Sequence, residues 1–288
     1  MDVGLPEMSP EQVGAKTLVV GIVNVGGYMA EAWIPTLTRA LETGLDLAAG
    51  LHHRLADVSL LRETAARFGR TLHDVRQPKR TFGAGTGAKR SGLRLLTVGT
   101  DCIVGKKYTA LALERALRAR GVKADFRATG QTGILIAGRG VAVDAVIADF
   151  ISGAAEWLSP DNEADHWDLI EGQGSLFHPA YAGVTLGLIH GSQPDALVLC
   201  HEPGRTHLLG LPYPVASLRK SIAANVAAAR LTNSRARMVG ISINTARLQP
   251  AQGAAIADAI SQQTGLPCCD PIRDGAERIA EHLLAIDW

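Results

Sequence analysis

The residues that most plainly do chemistry are Gly99-Thr-Asp-Cys-Ile-Val-Gly-Lys-Lys-Tyr108. Glycines in a strand-to-helix turn let backbone N–H groups point at a phosphate. The helix start adds a partial positive charge, and a lysine adds a full one. Gly99, Thr100, Asp101, Cys102, Val104, Gly105, Lys106, Lys107 and Tyr108 are therefore the expected phosphate-cofactor residues. The usual pattern follows Gly-Lys with Ser or Thr, whose hydroxyl binds Mg²⁺. Here Lys107 takes that place. A second ammonium disfavours magnesium and favours a phosphate held as a bare anion. The ligand is then one whose phosphates are handles, such as coenzyme A, and no metal is expected. An ATP enzyme stays open as a second reading, with Thr109 or Thr100 supplying the hydroxyl.

A second group is Asp168-Leu-Ile-Glu-Gly-Gln-Gly-Ser175, an apolar run that ends in glycines. Ligands of open α/β sheets bind beyond the carboxyl ends of strands, so Glu171 should face the same crevice as the glycine loop. The bland alternative is a carboxylate that caps the turn. The third group is Cys200-His-Glu-Pro-Gly-Arg205. His201 and Glu202 read as a base and its orienting group, and Arg205 as a bidentate carboxylate clamp. Gly130-Gln-Thr-Gly133 ends another strand and adds Gln131. Weaker candidates are His178, His190, Asn24, Gly26-Gly27 and Leu51-His-His-Arg54. Asp149 and Glu156, seven residues apart, read as one solvated or pairing face of a helix.

These residues need strands and helices in alternation. Leu93 to Val98, Val122 to Ala128, Trp167 to Ile170, Ala196 to Cys200, Met238 to Ile243 and Pro267 to Asp270 read as strands. Tyr108 to Arg120, Val141 to Leu158, Ser217 to Leu231, Ile256 to Thr264 and Glu277 to Ile286 read as helices. Upstream, Thr17 to Asn24 and Thr71 to Val75 read as strands, and Trp33 to Thr43 and Leu60 to Phe68 as helices. The expected fold is α/β: a doubly wound, mostly parallel sheet of P-loop NTPase type over residues 93–288, with a smaller Rossmann-like α/β domain over 1–80. Residues 81–92, rich in glycine and basic residues, read as a solvated linker. The sharper alternative folds Lys79, Arg80, Lys89 or Arg90 onto an anion at the loop.

Of 288 residues, 47% are hydrophobic and 20% charged, an ordinary globular balance. A formal net charge of +1 offers nothing to nucleic acid or an anionic membrane. No apolar run nears the roughly 20 residues of a bilayer span. The start, Met-Asp-Val-Gly-Leu-Pro, lacks a secretory pattern. Cys102, Cys200, Cys268 and Cys269 fit neither a zinc motif nor a disulfide framework, and read as free thiols of a reducing cytoplasm.

Gly-Thr-Asp-x-x-Val-Gly-Lys with a later Glu-Gly-x-Gly resembles dethiobiotin synthetase and related P-loop proteins. A longer likeness runs through GTDCIVGKKYTALALERALRARG, FRATGQTGILIAGRGVAVDAVIADFISGAAEWL, IEGQGSLFHPAYAGVTLGLIHGSQPDALVLCHEPGRTH and VGISINT, with VVGIVNVGG and GLHHRLAD upstream. These segments resemble a P-loop family formerly described only as a domain of unknown function, which includes D-glutamate N-acetyltransferases of the DgcN type. Members known to us carry a further segment before the stretch that opens here at Asp2, so a shorter or altered small domain is expected. The resemblance implies transfer of an acetyl group from acetyl-CoA to the amine of D-glutamate, by a homo-oligomer with no nucleic-acid or membrane partner. On that reading Glu171 and His201 are the catalytic bases. Arg205, then Arg139, take the substrate carboxylates, beside Gln131, Gln173, Ser175 and Glu202. Backbone N–H groups near Gly172 or Gly174 meet the oxyanion. The second activity weighed is an ATP/Mg-dependent ligase or kinase acting on a small carboxylate, with Glu171 on the metal.

Overall fold

The computed structural model describes residues 9–10, 12–22 and 27–288, so Asn24, Gly26 and the first eight residues lie outside the described part. The chain divides into two compact units, Met1–Lys79 and Arg80–Trp288.

The first unit orders β1 (Thr17–Val20), α1 (Ile34–Glu42), β2 (Asp46–Ala49), α2 (Ser59–Phe68) and β3 (Leu72–Asp74). Its parallel sheet runs β1-β2-β3. The expected first strand ends at Val20. The middle strand β2 escaped the sequence reading. Asp-Leu-Ala-Ala has no β-branched residue, and strand propensity is set largely by surroundings. Here Leu47, Ala48 and Ala49 are all buried, and β2 pairs on both sides. Leu37, Leu41, Leu55 and Leu61 close the core over Leu47.

The second unit follows as β4 (Leu93–Gly99), α3 (Lys106–Arg118), β5 (Ala124–Arg127), α4 (Gln131–Ala137), α5 (Ile151–Leu158), β6 (Trp167–Ile170) and α6 (Ala182–Ser192). It continues with β7 (Ala196–His201), α7 (Leu218–Arg230), β8 (Arg237–Ile243), α8 (Pro250–Thr264), β9 (Cys268–Cys269) and α9 (Glu277–Leu284). The six strands are parallel in the order β5-β6-β4-β7-β8-β9. One face buries Leu113 and Leu117 of α3 with Ile279 and Leu283 of α9. The other buries Ile151 and Leu158 of α5, Leu188 and Ile189 of α6, Ala229 of α7 and Ile260 of α8. Each fully buried Leu or Ile is worth about 1.5–3 kcal/mol, which makes these layers the main hold on the sheet. β4 lies between β6 and β7, the point where strand order reverses and ligands bind at the carboxyl edge. The loop after β4 is the glycine-lysine loop.

Three expectations need correction. Val141 to Leu158 is not one helix: two 3₁₀ turns, Val143–Ala145 and Ala148–Phe150, precede α5. Val141 N–H donates to Ala128 O and Val143 N–H to Thr129 O at 3.0 Å, which draws the backbone out beside the end of β5. Asp149 and Glu156 therefore share no helix face. Helices α4 and α6 were also missed. Gly183, Gly187 and Gly191 weaken the local signal of α6, yet the last two let it close on α5, where a Cβ on Gly187 would lie 2.6 Å from Ile151 Cγ2 and one on Gly191 2.2 Å from Ser152 O.

Residues 81–92 are not solvated throughout. A Cβ on Gly153 would lie 2.1 Å from Gly83 O, so this stretch runs backbone to backbone over α5. Glu156 accepts from the N–H groups of Thr86 and Gly87 at 2.8 and 2.7 Å. The buried Arg90 donates to Ser159 O at 2.6 Å and Gly191 O at 2.5 Å, and burial lowers its pKa to about 10. Lys89 faces Asp195 at 3.9 Å, just before β7. Arg80 lies over the Trp157 ring at 4.9 Å. Arg80, Lys89 and Arg90 thus serve this packing and the amino edge of the sheet, and none of them reaches the loop after β4. Among the described residues no helix is long and apolar enough to cross a membrane.

Candidate functional site

Gly105, at φ +106°, turns the chain into α3. Among the described residues no side chain caps α3, so its first N–H groups are left for a ligand. Lys106 is 7% exposed, donates to Asp101 O at 2.9 Å, and has its pKa lowered by burial. Lys107 Nζ lies 4.4 Å over the Tyr108 ring. The two hydroxyls weighed for a metal are engaged within the protein. Thr109 Oγ1 donates to Gly105 O at 3.1 Å and meets Ser242 Oγ at 2.7 Å; Thr100 Oγ1 meets His201 Nδ1 at 3.1 Å.

Beside the loop opens a cleft of about 370 Å³. Val104 to Tyr108, Gly130 to Thr132, Glu171 to Gln173, and Asn244 line it. Glu171 comes from the end of β6, one strand from β4. Its Oε2 accepts from Thr129 N at 3.0 Å and Gly130 N at 3.1 Å. Burial raises its pKa, and those two N–H donors, Lys107 and Lys106 oppose the rise. Gly172 is dictated by contact: its N–H donates to Thr97 Oγ1 at 2.9 Å, and a Cβ would lie 1.6 Å from Thr97 O. Gln131 lines the cleft from the first turn of α4. Gln173 does so while donating to Thr129 Oγ1 at 3.1 Å. Ser175 is fully buried and accepts from Phe177 N at 3.3 Å, so it shapes the turn and does not line the cleft.

Arg205 does not stand free to clamp a substrate. Its Nη1 donates to Asp101 Oδ2 and to Cys102 O, both at 2.8 Å, and its Nη2 donates to Glu202. Asp101 also accepts from Leu209 N at 2.8 Å, so Arg205 and the 205–209 loop brace the loop after β4. Glu202 is spent on the same pairing. Arg139 is exposed and reaches Asp125 at 3.5 Å, early in β5 and away from Glu171 at the carboxyl edge. His201 lines a second cleft of about 540 Å³, with Arg205, Ser217 and Arg219. Burial lowers its pKa, and Glu202 opposes that.

Arg219 and Asn244 escaped the sequence reading. Asn244 follows β8, and the strand-end rule that found Glu171 would have found it. Arg219 opens α7 after the N-cap Ser217, a helix-start signal carrying a cation. A third omission is a grouping. A carboxylate oxygen of Asp101, Cys102 Sγ and a ring nitrogen of His178 lie within 4.8 Å of one another, all in buried residues.

Residues 81–280 match a family described as a domain of unknown function with a P-loop domain, and residues 2–78 match its Rossmann-like N-terminal domain. The chain belongs to the DUF1611 family. A crystal structure of a DUF1611 family protein from Anabaena variabilis superposes with a TM-score of 0.88 at 37% identity, over 94% of this chain and 80% of that one. Two relatives are named D-glutamate N-acetyltransferase. The one from Pseudoalteromonas sp. is 53% identical over 94% of this chain and 82% of its own. The one from Tritonibacter scottomollicae is 53% identical over 99% and 87%.

Proposed function

We propose that this chain is a D-glutamate N-acetyltransferase, transferring the acetyl group of acetyl-CoA to the α-amine of D-glutamate. The observation that carries this is the 53% identity, over nearly the whole chain, to two relatives of that name. The geometry supports it. The uncapped start of α3 with Lys107 fits the diphosphate of coenzyme A, and a buried carboxylate stands across the same cleft.

An amino-acid amine is mostly protonated at neutral pH and must lose a proton to attack. Glu171 is the base. Burial makes it a stronger one, and the Thr129 and Gly130 N–H groups hold its orientation. The Gly172 N–H is given to Thr97 Oγ1, so the oxyanion donors are the backbone N–H groups that follow, toward Gly174. With Arg205 engaged on Asp101 and Glu202, the acceptor carboxylates fall to Arg219 and the α7 start in the second cleft, beside His201. The four buried free thiols support a reducing compartment, the cytoplasm.

The test supplies acetyl-CoA and D-glutamate without metal, or ATP, Mg²⁺ and D-glutamate, and follows coenzyme A thiol release and N-acetyl-D-glutamate. The first mixture should turn over. Turnover only with ATP and Mg²⁺ would replace this reading with a ligase or kinase.

A further inference from the structure

The Asp101–Cys102–His178 cluster lies outside the steps above. We propose that Cys102 carries the acetyl group as a thioester between donor and acceptor, with His178 taking the thiol proton; this rests on the acetyltransferase reading.

The cluster brings a thiol, an imidazole and a carboxylate within 4.8 Å of one another. The imidazole is oriented. His178 Nε2 lies 3.1 Å from Leu209 O, which can only accept, so Nε2 bears the hydrogen and Nδ1 holds the lone pair. Nδ1 has one long contact, from Ala180 N–H at 3.3 Å. Asp101 is fully buried, and its Oδ1 has no partner among the described residues. A carboxylate so placed stabilises the imidazolium formed when His178 takes a proton.

The same three residue types could hold a metal, but their neighbours argue against it. Arg205 Nη1 lies 2.8 Å from both Asp101 Oδ2 and Cys102 O, and Lys106 donates to Asp101 O. Fixed cations repel a dication and stabilise a thiolate. At rest burial pushes the Cys102 thiol up; Lys106 opposes the rise, Asp101 adds to it and Arg205 opposes it, so a base is needed as it attacks.

Position fits a relay. Ile103 and Val104, next in the chain, line the first cleft, while Arg205, on the Cys102 carbonyl, lines the second. Cys102 is 8% exposed, which shields a thioester from water. In the first step Cys102 sulfur bonds to the acetyl carbon and the carbon–sulfur bond to coenzyme A breaks. The thiol proton passes to His178 and on to the departing thiolate. In the second, the amine nitrogen bonds to that carbon and the bond to Cys102 breaks. The substrate ammonium first loses one proton to Glu171; as the nitrogen attacks it loses a second to His178, which passes it to the departing Cys102 thiolate.

The test mixes wild-type protein with acetyl-CoA alone and measures intact mass after rapid quenching. Expected are one acetyl group per chain, mapped to Cys102 by peptide mass, a matching burst of free coenzyme A, and loss of the label when D-glutamate is added. Cys102→Ala should take no label, and His178→Gln should label about a hundredfold more slowly or worse. Initial rates against both substrates should give parallel double-reciprocal lines. Wild type that makes N-acetyl-D-glutamate with no label and intersecting lines overturns the relay and leaves the function standing. So does stoichiometric zinc that protects Cys102 from alkylation. A labelled Cys102 with no transfer to D-glutamate supports the relay and overturns only the acceptor. Wild type that neither labels nor transfers overturns both.

Discussion

Removing the Arg205 guanidinium by Arg205→Ala separates a bracing role from a substrate-binding one. Arg205 holds two carboxylates, Asp101 with a fully buried side chain and Glu202 with one 9% exposed. Among the described residues, Asp101 without it keeps only the Leu209 N–H on Oδ2, and Oδ1 has no partner to begin with. Stranding a buried charge costs about 3–5 kcal/mol, and because the Arg205 side chain is itself 15% exposed the low end, about 3 kcal/mol, applies. At about 2–4 °C per kcal/mol for a domain of this size, melting should fall by about 6–12 °C. The assay is thermal unfolding at neutral pH of wild type, Arg205→Ala, Asp101→Asn and the double variant. Asp101→Asn removes the stranded charge, so the double variant should melt above Arg205→Ala. An Arg205→Ala protein that melts with wild type and shows only a raised KM for D-glutamate would refute the bracing argument and restore Arg205 as the carboxylate clamp.

Two more outcomes follow from the cleft. Gly172→Ala should unfold at markedly lower temperature and lose activity, because its Cβ would fall 1.6 Å from Thr97 O and must push β4 and β6 apart; wild-type melting would show that the chain there yields. Glu171→Gln keeps an acceptor for Thr129 and Gly130 but no base. Since burial raises the Glu171 pKa, the wild type is stabilised in acid, and loses that stability as pH climbs from the ordinary glutamate value of about 4.3 through the raised one. The melting temperature of Glu171→Gln minus that of wild type should therefore grow with pH over that window. The acid limb of wild-type kcat/KM should also disappear with the residual rate of the variant; a variant that keeps both limb and rate would remove Glu171 as the base.

How far the residues foretold the site depends on how local each signal is. Gly99 to Tyr108 carry their meaning in order along the chain, because a strand, a glycine turn, a lysine and a helix start are all local. Glu171, Gln173 and Gln131 were reachable by one further rule, that strand ends face the crevice of an open sheet, and all three line it. Arg205 and Glu202 are the opposite case. Their types fit substrate binding, and only the fold shows that Arg205 donates both to Glu202 and to Asp101, 104 residues away. Strand β2 and helices α4 and α6 were lost where alanine, glycine and short length leave propensity weak and burial decides.

By itself the sequence determined the alternation of strands and helices, the phosphate-binding loop and the unusual Lys107, since these rest on hydrophobic periodicity and backbone geometry within a few residues. Tertiary structure decided what the charged side chains do. A guanidinium serves whichever carboxylates the fold brings within 3 Å, so Arg205 braces the loop after β4 while Arg219 lines the second cleft. Long-range contact also set His178 beside Cys102, a closeness that a separation of 76 positions hides from any local pattern.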